Sequence, residues 1–121
     1  MKPVDCHCHL DFDRFDGDRG EVIQRAREKL EFVVSVGCDP VRNEKTVEIA
    51  EDFGDFVKFN LGLHPTSVEF FEDLEDVKRQ IRRLDPVAIG EIGLDHHHVE
   101  DEKVRERQEN VFRNLLELAE E

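Results

Sequence analysis

The segment Asp5-Cys6-His7-Cys8-His9 places two imidazoles two residues apart. Side chains alternate between the faces of a strand, so His7 and His9 share a face with Cα atoms about 6.5 Å apart, near enough to converge on one divalent cation. Cys6 and Cys8 then project to the other face, where small, weakly polar thiols suit the layer between a sheet and its helices. The plain alternative is a pair of strand histidines satisfied by hydrogen bonds. Neutral imidazole is so common a metal ligand that two on one face favour the ligand reading.

A second group is Gly90-Glu91-Ile92-Gly93-Leu94-Asp95, which follows the apolar run Val87-Ala88-Ile89. A lone carboxylate in an apolar strand is costly unless it meets a cation. Glu91 therefore reads as a metal ligand whose two oxygens could bridge two ions, or else as the partner of a lysine or arginine at a strand edge. Asp95 stands at the following turn, where it either holds a ligand or water or caps the loop. His64, in Gly62-Leu63-His64-Pro65, falls at the carboxyl end of a strand, the rim where functional groups of parallel α/β folds gather, and reads as a phosphate contact or as a polar turn residue. Consecutive His96-His97-His98 form a solvated loop, because neighbours in sequence rarely converge on one ion.

Other chemistries lack their residues. There is no nucleotide-type phosphate loop, dinucleotide fingerprint or serine nucleophile elbow, which leaves metal-dependent hydrolysis. The 121 residues carry 17 basic and 30 acidic side chains, a net charge of −13, and this excludes nucleic-acid binding by general electrostatic attraction while leaving open a phosphate reached through bound cations. Three cysteines without framework spacing fit a reducing compartment. No apolar run approaches the roughly 18 residues of a membrane span, and the expected location is cytoplasmic.

Four alternations of a strand-like run with a helical stretch must position these groups. Strands are expected at Val4 to His9, Glu31 to Gly37, Val57 to Leu63 and Val87 to Leu94. The intervening helices bury Val22, Ile23, Ala26 and Leu30; then Thr46, Ile49, Ala50 and Phe53, after an Asp39-Pro40 start; then Leu74, Val77, Ile81 and Leu84, after an Asp73 cap. A last helix, from about Glu102, presents Val104, Val111, Phe112, Leu115, Leu118 and Ala119 inward. Parallel neighbours need crossovers, so the class is α/β, one domain over residues 1–121 with four βα units and parallel strands. With no fifth strand to cover the sheet, the expectation is a fragment or a chain that assembles.

DCHCHLD, GLHP and GEIGLD together resemble the TatD-type metal-dependent deoxyribonuclease family, amidohydrolase-like TIM barrels, across essentially the whole chain. Gln108 and Phe112 in RQENVFRNLLELAEE look like the family's helix after the fourth strand. The resemblance implies the N-terminal half of a (β/α)8 barrel, with His7, His9 and Glu91 as metal ligands, Glu91 bridging and catalytic, and His64 near the substrate phosphate. It implies two divalent ions (Mg, Mn or Zn) and DNA as substrate, cleaved by water attack at phosphodiesters.

The family continues for four more βα units, which supply two histidines and an aspartate without counterpart here, and it often has an aromatic residue where this chain has His96. Two other readings stay open. One is a non-catalytic fragment or interaction module that retains the ligands and exposes its sheet edge to a partner, whereas the enzyme reading needs a second copy or a complementary chain to complete the barrel. The other is a different HxH metallohydrolase, a phosphoesterase or cyclic-amide hydrolase.

Overall fold

The computed structural model describes residues 1–121. Its elements alternate as expected: β1 (Asp5–Cys8), α1 (Arg19–Lys29), β2 (Val33–Val36), α2 (Pro40–Asp52), β3 (Val57–Leu61), α3 (Leu74–Leu84), β4 (Ala88–Ile89) and α4 (Glu102–Glu120). The strands form one parallel sheet in the order β1-β2-β3-β4. Register is continuous from Val33↔Val57 to Val36↔Asn60, whereas β1 is irregular against β2 between Asp5 and Cys8.

Helix starts follow local chemistry. Asp39 accepts the N–H groups of Val41 and Arg42, each at 2.9 Å, and Pro40 fills a position with no N–H to satisfy. Asp73 accepts the Asp76 N–H, and Asp85, in the left-handed region at φ 51°, ends α3 before Pro86. Apolar side chains then close two packed groups on the helical side of the sheet. Ile23, Val33, Ile49 and Phe56 belong to the group under α1 and α2, and Leu61, Val77, Ile81, Val111 and Leu115 to that under α3 and α4.

Several expected boundaries shorten. Strand four was expected over Val87 to Leu94 but pairs only at Ala88 and Ile89, because β4 has a neighbour on one side alone and Gly93 turns the chain away at φ 151°. Strand one loses Val4 and His9, strand two keeps only Val33 to Val36, and strand three stops at Leu61. Cys6 is exposed instead of lying under helices, since β1 is irregular there and lies at the sheet's edge. Ala119 is also exposed, one residue past the stripe formed by Val111, Leu115 and Leu118.

Candidate metal centre

At the carboxyl ends of the strands, His7, His9 and Glu91 bring three ligand atoms within 4.8 Å of one another. The two Nε2 atoms are 3.2 Å apart, and Glu91 Oε2 lies 3.4 Å from His7 Nε2 and 3.8 Å from His9 Nε2. Those separations suit atoms that share one ion at about 2.0–2.2 Å each. Two nitrogens and a carboxylate oxygen are donors that zinc, manganese and magnesium accept in differing degree. The group is open on one side, His7 being 53% exposed, so further coordination positions face solvent.

Backbone contacts place these atoms. His9 Nδ1 lies 2.9 Å from the Val36 carbonyl, which can only accept, so Nδ1 carries the proton and Nε2 presents its lone pair to the group. Its ring stacks on Phe12, with centroids 4.7 Å apart. Glu91 was expected inside a buried strand; it is half-buried and stands beyond β4, with its N–H directed at the Gly37 carbonyl. Gly62 lies directly beneath it. A β-carbon there would come within 2.7 Å of the Glu91 carbonyl oxygen, so only glycine admits this approach.

His64 joins the same rim in the opposite tautomer. Its Nδ1 accepts the Thr66 N–H at 3.2 Å and lies 2.7 Å from the Thr66 hydroxyl, which puts the neutral ring's proton on Nε2, 3.5 Å from Glu91 Oε1. His64 thus offers a proton where His9 offers a lone pair. Asp95 points elsewhere: it accepts the N–H groups of His97 and His98 and pairs with the His98 ring at 2.8 Å, contacts that hold its carboxyl at about 2. His96, His97 and His98 are exposed. Burial pushes the thiols of Cys8 and Cys38 up to about 12, helped by nearby carboxylates, so both stay protonated near neutrality.

Three residues here went unremarked in the sequence. Asp11 is fully buried and pairs with Arg42 at 3.1 Å, while Phe12 backs both His9 and Arg42. Their one sequence signal is position, Asp11 and Phe12 directly after His9 and Arg42 in the first turn of α2. Gln108 is also fully buried; it accepts the Asp95 N–H and donates to the carbonyls of Pro65 and Asp95, tying α4 to the loops that carry His64 and Glu91.

A parallel βα sheet with a His, His, Glu group at its carboxyl rim is the architecture of a barrel metallohydrolase. The family model described as TatD related DNase matches residues 4–121, and the chain belongs to that family of metal-dependent hydrolases. It is 39% identical over 120 residues to a Bacillus subtilis protein named as the uncharacterized metal-dependent hydrolase YabD, covering 97% of this chain and 46% of that protein. The human protein named Deoxyribonuclease TATDN3 is 31% identical over 131 residues, with 96% and 47% covered.

The crystal structure of YJJV, a TatD homolog from Escherichia coli, superposes with a TM-score of 0.82 at 33% identity, covering 97% of this chain and 46% of that one. A TatD family hydrolase from Entamoeba histolytica, 24% identical with a TM-score of 0.84, has the same fold; 99% of this chain and 46% of that one are covered. The chain spans about half the length of the relatives it matches, and its four strands with their helices correspond to the N-terminal half of a TIM barrel.

Proposed function

We propose that the chain supplies the first half of a divalent-metal-dependent deoxyribonuclease centre, in which His7, His9 and Glu91 are ligands and His64 contacts a substrate phosphate. The observation that carries this is the convergence of three ligand atoms at the rim, with the proton of His9 directed away from the group. A bound divalent ion would polarise a phosphoryl oxygen and lower the pKa of water. His9 keeps its lone pair available through Val36, and Glu91, whose Oε2 lies beside both His7 and His9 and whose Oε1 is 3.5 Å from His64 Nε2, would hold the metal with them. His64 donates its Nε2 proton to a phosphate oxygen. Mg, Mn and Zn are the candidate metals, and the completed site would hold two ions.

The test is Mn²⁺ titration by calorimetry together with cleavage of a single-stranded oligonucleotide. Mn²⁺ binding that His9→Ala and Glu91→Gln each abolish, with chelator-sensitive cleavage lost in the same variants, supports the proposal. Binding indifferent to both substitutions overturns it.

The open edges of β1 and β4, with Val4 and Val87 exposed beside them, favour a second reading: the sheet is completed by a further copy or by a complementary chain. Native mass spectrometry with Mn²⁺ tests it by subunit and metal count. A metal-loaded oligomer supports self-association, and a monomer at all concentrations contradicts it.

A further inference from the structure

We propose that Arg42 is a second anion contact of this centre, taking the polynucleotide phosphate adjacent to the one at His7, His9 and Glu91; this rests on the nucleic-acid reading above. A polar cavity of about 430 Å³ opens beside the metal-ligand group and is bounded by His9, His64 and Glu91 on one side and by Phe12, Arg42 and Thr66 on the other. Arg42 is the only lysine or arginine in its wall, and Glu91 and Asp39 are the only carboxylates. Asp39 Oδ1 is engaged by two N–H groups of α2, and Arg42, paired at Nη1 with Asp11, which does not line the cavity, is the one permanent cation of the wall.

The guanidinium is fixed before any ligand arrives. Nη1 donates to Asp11, whose carboxylate is fully buried, and Cζ sits 5.3 Å from the centre of the Phe12 ring. Because Phe12 also stacks on His9, guanidinium and imidazole lie against the same aromatic ring. The other guanidinium N–H groups of Arg42 have no protein acceptor, and the side chain remains 34% exposed. An arginine anchored at one donor, with the rest of its planar fork free toward a cavity, is suited to a phosphate oxygen. Neutralising Asp11 alone would not require the cavity wall.

The test uses the full chain with Mn²⁺ and a 5′-fluorescein thymidine tetramer, its anisotropy read on intact strand while a gel follows cleavage. Arg42→Gln should weaken binding about tenfold, as expected for one lost charge-assisted contact. The dependence of log affinity on log salt should flatten by about 0.7, and Arg42→Lys should restore that slope. Replacing one internucleotide phosphate by a methylphosphonate should cost the native chain the same factor, and cost Arg42→Gln nothing further. The double variant Asp11→Asn with Arg42→Gln removes the buried unpaired charge and serves if the single variant unfolds.

Native-like binding by either variant, or a methylphosphonate penalty unchanged by the substitution, overturns the role of Arg42 alone. Failure of the native chain to bind the tetramer in Mn²⁺ overturns the nucleic-acid reading and this inference with it.

Discussion

His9 and His64 are chemically identical in the sequence and opposite in the folded chain. Val36 takes the proton-bearing Nδ1 of His9, while Thr66 donates to Nδ1 of His64, so one ring is prepared to ligate and the other to donate. Asp95 is a third case in which partners decide the role. Its carboxyl is held at about 2, first by the His98 N–H and then by the His98 ring. A depressed folded value means that the carboxylate's contribution to its turn is present above the usual aspartate range near about 3.9 and is lost as pH falls through about 2. Carboxyl carbon NMR should show Asp95 titrating at about 2 and shifting upward in His98→Ala. A midpoint in the ordinary range in the native chain would contradict the capped turn.

Among the elements, α4 does more than cover β4. Gln108 projects from it into a fully buried position and satisfies the Asp95 N–H at 2.9 Å and the Pro65 carbonyl at 3.1 Å, so one amide joins the His64 turn to the segment that follows Glu91. Gln108→Leu preserves much of the volume but strands these groups, and a loss of about 1–3 kcal/mol in urea denaturation is expected. Amide exchange should quicken around residues 92–98, because the Asp95 contacts are lost first. Unchanged exchange there would mean that the loop is held by Arg105, which donates to the carbonyls of Val99 and His96, and not by Gln108.

For the whole molecule, the −13 net charge is self-repulsive, and a divalent ion bound at the rim would relieve part of that repulsion. Binding to the folded state alone stabilises by mass action, about 2.7 kcal/mol when free metal is a hundred times its Kd. For a domain of this size the corresponding rise in Tm is about 10 °C. Scanning calorimetry with Mn²⁺ should show that rise in the native chain and none in Glu91→Gln. Equal rises in both would place the ion elsewhere, for example at the exposed His96, His97 and His98.

The order of elements was legible because each carries its own local signal. Asp39-Pro40 and Asp73 announced helix starts, spaced apolar residues announced buried stripes, and the alternation of strand and helix required parallel pairing. The His7 and His9 pair was equally visible, since two-residue spacing on a strand is itself a geometric statement. Strand ends were not legible: Val87 to Leu94 is mostly apolar around Glu91, but pairing depends on a neighbour, and β4 has one on a single side. Cys6 was misplaced for a related reason, as a bulged edge strand does not bury every second residue.

Residue types, their spacing along each element and the metal-binding potential of His7, His9 and Glu91 were thus properties of the sequence alone. The tertiary structure decided which nitrogen of each histidine is free, that Gly62 makes room for Glu91, and that Arg42 faces the same cavity across Phe12. Such relations join residues distant in the chain, and no local periodicity encodes them.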